Sequence, residues 1–324
     1  MELSTTRGQQ TTPLNSLLLP MQHHPIVFFY LMAFALTWLL WIPAVLLHLP
    51  VHDLRNIPGT ALGVTGSAFL MTALTEGKAG VLRLLRSFVS WRVGVPWYAF
   101  AILGIPIIEV LVGWLLPGGQ DALRAFALAS LLLYPAAYAF RFIFGPFWEE
   151  AGWRGFALPR LQQRRGPLVG TLILGVLWGI WHLPLYLPAE IQQGGIVGGM
   201  LSFAVFVLLA IAMAVIFTWV FNNTKGSLLI AILLHASIDR TQTYIQTLAD
   251  RHLLSTIANV NIQQLGFTLG IVILALLLIV FTRGLLSYER YQREVISPHH
   301  QDMAGRAPQA HDYKKTMNKL YEGQ

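Results

Sequence analysis

Long apolar stretches alternate with short polar segments along most of the chain. Eight of these stretches are about 20 residues long, enough as helices to cross a hydrocarbon layer of roughly 30 Å. They lie near residues 26–47, 58–75, 95–116, 125–147, 167–189, 199–221, 227–246 and 265–282. The pattern therefore predicts an all-α fold, a polytopic membrane bundle of about eight transmembrane helices.

The composition supports a bilayer as the solvent of this chain. Its 324 residues are 55% hydrophobic and only 11% charged, whereas soluble domains carry about 25% charged residues. The chain has no cysteine, which excludes disulfides, thiolate metal sites and cysteine nucleophiles. A net charge of +7 in so apolar a chain does not indicate a nucleic-acid partner.

Basic residues are concentrated in alternate loops. The positive-inside rule therefore places both termini in the cytoplasm of a multi-pass integral membrane protein, in the cell membrane if the source is prokaryotic. The loop residues that decide this orientation are Lys78, Arg83, Arg86, Arg92, Arg160, Arg164, Arg165 and Lys225, with Arg283, Arg290 and Arg293 after the last span.

The chain divides into five segments by polarity. Its two ends are predicted to be polar tails, the second of them cytoplasmic. The first ~24 residues and those from about 298 on are predicted to be flexible. Basic and apolar positions alternate at helical spacing near 78–92, which predicts a helix lying on the inner leaflet. The segments are 1–24 (tail), 25–124 (N-terminal transmembrane helices), 125–250 (polar membrane core), 251–290 (C-terminal transmembrane helix) and 291–324 (tail).

Ionisable residues inside the predicted spans are the strongest functional signal. Each costs about 2.5 to 3.5 kcal/mol at the bilayer centre, so such residues are usually functional. Three pairs have the i, i+4 spacing that places two side chains on one helix face: Glu150 with Arg154, Trp178 with His182, and His235 with Asp239. The full set is Glu109, Arg141, Glu149, Glu150, Arg154, His182, His235, Asp239 and Arg240.

Five of these side chains can share one cavity if the fourth helix continues from its apolar part through residues 149–158. Glu149, His235 and His182 then lie about 16, 13 and 22 Å below the cytoplasmic surface, at 1.5 Å per residue. Glu109 and Arg141 lie outside the paired positions, and we interpret both as structural.

Two chemistries fit this set of side chains. A glutamate can take a proton from water while imidazoles position that water or stabilise an oxyanion. We expect Arg154 to hold Glu150 and to leave Glu149 as the base. The same donors also suit a divalent metal such as zinc with a bound water. Spacing alone leaves both mechanisms open.

Three segments resemble the motifs of one membrane protease family. They are EEAGWRGFALPRLQ (149–162), LWGIWHLPLY (177–186) and LLHASID (233–239). In order and spacing they are similar to the three motifs of the CPBP intramembrane proteases, the group of CAAX prenyl endopeptidases, Abi proteins and bacteriocin-processing homologues. Trp178 replaces the usual Phe of the second motif, and Asp239 stands where Asn is commoner in the third.

The resemblance implies an intramembrane endopeptidase whose cavity opens to the cytosol and the bilayer, with 125–250 as its catalytic core. It assigns catalysis to Glu149, Glu150, His182, His235 and Asp239, supported by Arg154 and Trp178. Glu149 would activate water with His182 beside it, and His235 with Asp239 would stabilise the oxyanion. An ionised Asp cannot donate a hydrogen bond as Asn can, so Asp239 either orients His235 or stays protonated in a buried site.

Other functions remain open at this point. The implied substrate is a membrane-bound protein or peptide, lipidated or not. The alternatives are a non-catalytic scaffold of the same fold and an ion- or proton-coupled transporter, because pore-lining carboxylates and histidines look alike in sequence. The chain has no HExxH, GxGD or Walker motif and no rhomboid-type serine motif around Ser67.

Overall fold

The structure is a computed structural model that describes residues 13–47, 57–115, 128–250, 256–257 and 260–297. These residues are helical nearly throughout, which confirms the all-α class. The long helices are α1 (Pro13–His23), α2 (Pro25–Leu46), α3 (Ile57–Phe88), α4 (95–115), α5 (Leu128–Ile143), α6 (151–165), α7 (Pro167–Trp181), α8 (Leu183–Asn223), α9 (Leu228–Asp250) and α10 (Ile262–Phe281).

Shorter elements complete the described chain. Strands β1 (Thr256–Ile257) and β2 (Val260–Asn261) form a small antiparallel ladder before α10. After α10, helix α11 (Tyr288–Tyr291) continues into a π-helical turn, Gln292–Ile296. The buried Leu286, Tyr288 and Tyr291 fold this end of the chain back onto the bundle.

Five described helices are long and apolar enough to cross a membrane, or six if a bent pair is counted as one span. They are Pro25–Leu46, Ile57–Phe88, Val95–Val112, Gly194–Asn223 and Gln264–Phe281, with Pro167–Trp181 plus Leu183–Gln192 as the bent pair. Large apolar side chains on their outer faces are exposed, as lipid contact requires. The protein is therefore an integral membrane protein, while eight spans and the orientation stay predictions.

The predicted N-terminal tail is shorter than we expected. Residues 13–23 form α1, where Gln22 Nε2 donates a hydrogen bond to the Leu74 carbonyl across 3.1 Å. Residues 291–297 are helical, and Tyr291 packs on Phe221. Tertiary contacts order residues 13–23, so the prediction of a flexible tail was wrong there. Residues 291–297 precede the stretch from about 298 on that we predicted to be flexible. Residues 1–12 and 298–324 lie outside the described residues.

The basic segment near 78–92 is helical only as far as Phe88. The backbone leaves the helical conformation at Gly77 (φ 61°, ψ −159°), which separates this piece from the apolar part of α3. A position on the inner leaflet remains a prediction.

The fourth helix does not continue through residues 149–158, contrary to our expectation. Helix α5 ends at Ile143, and a 3₁₀ turn follows at Pro146–Trp148. Gly145 has non-helical angles (φ −159°, ψ −97°), and Pro146 lacks the N–H that a continuous helix needs. Helix α6 then starts as a π-helix, Ala151–Ala157, and becomes α-helical over Leu158–Arg165. Glu149 thus stands at the start of a new helix.

The second motif also lies at a helix break. His182 ends α7 and precedes α8, and the two helices bend by 47° there. Pro184, in the first turn of α8, lacks the N–H that would continue the α7 hydrogen-bond ladder. Helix α8 breaks again at Gly195 (φ 69°), a left-handed conformation that glycine adopts without strain.

Side-chain hydrogen bonds tie the motif helices together. Gln162 on α6 and Asn222 on α8 exchange two amide hydrogen bonds, at 3.2 and 2.8 Å. Thr171 on α7 donates to Thr218 on α8 at 2.9 Å. All four residues are buried, so each bond is sheltered from competing water. These contacts fix α6, α7 and α8 as one packed frame for the polar residues.

Candidate active site

Glu149 is held by two tryptophans. The indole Nε1 of Trp178 donates to Glu149 Oε2 at 3.1 Å, and that of Trp153 donates to the same oxygen at 3.2 Å. The other oxygen, Oε1, receives neither indole bond. Glu149 is half-buried, whereas both tryptophans are buried. The carboxylate is therefore fixed at one oxygen in an apolar setting and keeps some access to solvent.

Glu150 points into the protein and binds a different set of partners. Arg154 Nη1 donates to Glu150 Oε1 at 2.8 Å, in an ion pair whose side chains are both 0% exposed. The guanidinium lies 4.4 Å from the centroid of the Trp178 ring and 3.8 Å from that of Phe217. Two aromatic faces thus replace water around this cation. The expected pairing of Arg154 with Glu150 is present in the structure.

His235 is anchored by Glu150. Its Nδ1 lies 2.7 Å from Glu150 Oε1, and an ionised carboxylate only accepts hydrogen bonds, so Nδ1 carries the proton. The opposite nitrogen, Nε2, lies 3.6 Å from Asp239 Oδ1, beyond hydrogen-bond range but within ion-pair range. The imidazole therefore stands between two carboxylates. The closer of the two comes from the first motif.

His182 is fixed by the backbone of its own helix. Its Nδ1 lies 2.8 Å from the carbonyl oxygen of Trp178, which can only accept a hydrogen bond. Nδ1 therefore donates, and Nε2 of the neutral imidazole is left as an acceptor. His182 also interacts electrostatically with Glu149, His235 and Asp239. The indole bond from Trp178 to Glu149 and the packing of Trp178 against His235 place the second motif beside the first and the third.

Asp239 completes the group on α9. It lies one helical turn after His235, and its charge interacts with that of Arg141 on α5. A Cβ added at Gly145 would lie 3.4 Å from Asp239 Oδ2, so the break before the first motif passes close to this carboxylate. Arg141, which we interpreted as structural, thus lies close enough to Asp239 for their charges to interact.

Burial divides the site into two layers. Glu149, His182 and Asp239 are half-buried, while Glu150, Arg154, Trp178 and His235 are at most 5% exposed. The half-buried residues can meet water or a substrate. The buried ones support them from behind, which is the usual way that reactive groups are held in position.

The structure brings together every predicted site residue. The contacts connect Glu149, Glu150, Arg154, Trp178, His182, His235 and Asp239. Glu109, which we interpreted as structural, is buried on α4 without interacting with this group, and its Oε2 has no hydrogen-bond partner among the described residues.

Trp153 is the residue that sequence reasoning missed. Its position four residues after Glu149 is the same i, i+4 spacing that revealed the other pairs. The spacing was applied to Trp178 and His182 but not to Glu149 and Trp153, so this indole donor was overlooked. The bond between Glu150 and His235 was also missed, because it joins residues 85 positions apart.

The side chains do not form a metal site as they stand. No group of three or more His, Asp or Glu in the described ranges could hold a metal ion. Nδ1 of each histidine is engaged, by the Trp178 carbonyl in one case and by Glu150 in the other, which leaves Nε2 as the nitrogen of each ring that could bind a metal.

Two comparisons with known proteins agree with this geometry. Residues 131–241 match the family model described as Type II CAAX prenyl endopeptidase Rce1-like. The chain is also 21% identical over 245 residues to a protein named CAAX prenyl protease 2 from Methanococcus maripaludis, covering 70% of this chain and 88% of that relative. All seven site residues lie within the matched segment. Motifs, geometry and comparisons together place residues 131–241 of this integral membrane protein in the CPBP/CAAX protease family, a family of intramembrane endopeptidases.

Proposed function

We propose that this protein hydrolyses a peptide bond of a membrane-associated protein with water activated by Glu149. One observation carries the proposal. Three helices that are separate in sequence place a half-buried glutamate, an acceptor imidazole and a second imidazole around Trp178. Such a set supplies a base and a hydrogen-bond donor for an oxyanion in a water-poor setting.

Proton transfer begins at Glu149. In the reactive step a water molecule gives one proton to the Glu149 carboxylate, and its oxygen bonds to the carbonyl carbon of the substrate. Nε2 of neutral His182 accepts a hydrogen bond from this water and so orients it. Collapse of the tetrahedral intermediate breaks the C–N bond, and Glu149 passes its proton to the leaving nitrogen. The products are a carboxylic acid and an amine, and Glu149 returns to its ionised form.

We assign His235 to the oxyanion. Glu150 fixes the ring through Nδ1, and Asp239 lies on the Nε2 side at 3.6 Å. A protonated His235 then offers Nε2–H to the oxyanion, while Asp239 balances its charge. An Asp at position 239 orients the imidazole and balances its positive charge, but it donates no hydrogen bond to the oxyanion. This role explains how Asp can stand where Asn is commoner.

We propose a lipid-modified substrate, as the relative's name implies for that protein. An apolar groove of about 230 Å³ lies between α2 and the start of α8, next to His182. Its lining contains no charged residue: Trp38, Ile42, Val45, Leu46, Leu183, Pro184 and Pro188. A hydrocarbon chain in this groove would leave the attached peptide beside the second motif. We further propose that the site opens toward the cytoplasm, as the loop charges predict.

The test is cleavage by the purified protein in liposomes. A library of prenylated and unprenylated peptides is offered to the unmodified chain, to Glu149→Gln and to Glu109→Gln. We expect Glu149→Gln to lose cleavage by about 10²-fold or more, since general-base catalysis contributes roughly that much. Glu109→Gln should cleave normally, because Glu109 does not contact the site. No cleavage by the well-folded unmodified chain would favour a scaffold, and proton flux in the same liposomes would favour a transporter.

Two reagents separate the possible chemistries. A fluorophosphonate probe should leave the protein unlabelled, because the attacking group is water and not a serine. Prior incubation with a chelator should leave the rate of cleavage unchanged. Loss of activity on chelation with recovery on added zinc would instead favour a metalloprotease.

A further inference from the structure

We propose that Trp153 and Trp178 are positioning residues that together hold the Glu149 carboxylate by Oε2 and direct Oε1 toward the water. The inference rests on the proposed role of Glu149 as the base. Nothing in the sequence motifs assigns either tryptophan to this task, and the second motif as the family carries it has Phe at position 178, which has no N–H to donate.

The geometry at Glu149 supports this role. Two indole N–H groups converge on one carboxylate oxygen, at 3.1 Å from Trp178 and 3.2 Å from Trp153. The two donors come from α7 and α6, so their common acceptor cannot rotate without breaking a bond to one of them. An indole N–H has no acceptor capacity, so this oxygen stays occupied and only Oε1 is left to receive a proton from water.

Trp178 also joins the three motifs. Its ring lies under the Arg154 guanidinium at 4.4 Å and packs edge-on against His235 at 5.3 Å. Its carbonyl oxygen accepts the hydrogen bond from His182 Nδ1 at 2.8 Å. One buried residue thus touches the base, the buried ion pair and both histidines.

Trp153 is rigid for a different reason. It is fully buried, stacks on Tyr30 with ring centroids 6.0 Å apart, and packs against Phe29 and Trp181 at 5.8 and 5.5 Å. An indole packed against three rings in a close-packed interior is restrained in its present rotamer. It therefore gives Glu149 a fixed donor and not merely an apolar wall.

The kinetic test compares three tryptophan-to-phenylalanine variants of the full-length protein. Trp153→Phe and Trp178→Phe keep an aromatic ring and lose the N–H. Trp181→Phe is the matched control, because Trp181 is equally buried and its Nε1 has no hydrogen-bond partner among the described residues. We expect each of the first two to lower kcat by about tenfold or more with KM nearly unchanged, since misplacement of a catalytic group acts on the reactive step.

The double variant sharpens this test. Both N–H groups act on the same oxygen, so the kcat loss of Trp153→Phe/Trp178→Phe should differ from the product of the single losses. Single variants that keep kcat within about twofold of Trp181→Phe would overturn the inference. A rise in KM that accounts for the whole loss would also overturn it, since it would indicate a merely structural or substrate-binding role.

A second measurement does not depend on activity. Thermal unfolding in detergent is compared for Trp178→Phe in the unmodified chain and in a Glu149→Ala background. Because Glu149→Ala already removes the acceptor, Trp178→Phe should lower Tm less in that background. Equal decreases in Tm would overturn the inference. If the unmodified chain cleaves nothing, the proposed function fails. The comparison of Tm decreases in the two backgrounds still decides whether the Trp178 indole holds the Glu149 carboxylate.

Discussion

Glu149 and Glu150 are adjacent in sequence, yet they occupy opposite environments. Glu149 is half-buried and accepts hydrogen bonds from neutral indoles, whereas Glu150 is fully buried between Arg154 and His235. A buried carboxylate is tolerated only when opposite charge and hydrogen bonds compensate it. At the scale of single residues, this contrast separates a group that can react from a group that supports the fold.

Removing Arg154 should therefore be costly. Arg154→Gln leaves Glu150 in the interior without its cation, and we expect a loss of about 3 to 5 kcal/mol in the free energy of unfolding. Thermal unfolding in detergent measures this as a large fall in Tm. Arg83→Gln is the control, because Arg83 pairs with Glu76 in a partly exposed position, where ion pairs contribute about 1 kcal/mol or less. Equal Tm values for the two variants would contradict this account of the buried pair.

At the scale of secondary-structure elements, breaks between helices create the site. Glu149 stands after the break at 144–148, and His182 stands between α7 and α8. Two π-helical segments, Ala61–Gly66 on α3 and Ala151–Ala157 on α6, face each other behind the first motif. Segments of this kind are frequent near functional sites. Here they bring the backbone of α6 close to α3.

Gly152 marks the closest approach of these segments. A Cβ at this position would lie 2.3 Å from Val64 Cγ1 and 3.1 Å from the Val64 carbonyl oxygen. We therefore expect Gly152→Ala to displace α6, to cost about 1 to 3 kcal/mol, and to lower cleavage because Glu149 moves with the helix. Tm and kcat of the purified variant measure both effects.

Two further variants check the cause. Gly94→Ala should leave Tm and kcat unchanged, because its nearest neighbour would lie 3.6 Å away. Combining Gly152→Ala with Val64→Ala removes the closest clash and should restore part of the lost stability. An unaltered Tm in Gly152→Ala alone would show that α3 and α6 are less tightly packed than the structure indicates.

Orientation in the bilayer belongs to the scale of the whole molecule. The loop charges predict that Arg165, at the end of α6, faces the cytoplasm. Gln192 lies at the far end of the bent pair formed by Pro167–Trp181 and Leu183–Gln192, and should face the opposite side. Both side chains are exposed.

The natural absence of cysteine makes this orientation directly testable. Arg165→Cys and Gln192→Cys each introduce a single thiol. A membrane-impermeant maleimide should label Arg165→Cys only in inside-out vesicles and Gln192→Cys only in right-side-out vesicles. Labelling of both from the same side would reject the predicted topology, and with it the proposed cytoplasmic opening of the site.

The sequence by itself determined the class of the protein and predicted the members of its site. Apolar stretches of membrane length require helices, because backbone groups in lipid must bond within their own segment. The cost of burying charge made Glu149, His182, His235 and their neighbours stand out. The comparisons agree with the resemblance of residues 131–241 to the CAAX protease family, while the site members and their catalytic roles stay predictions.

Only the tertiary structure decided which atoms meet. The apolar pattern predicted that the fourth helix continues through residues 149–158. In the structure this helix is interrupted at Gly145 and Pro146. The sequence also paired His235 with Asp239 by spacing, although the closer partner, Glu150, comes from another helix. The two indole bonds to Glu149 depend in part on packing between α6 and α7. Contacts between residues distant in sequence follow from how helices pack, and spacing along one helix carries no information about them.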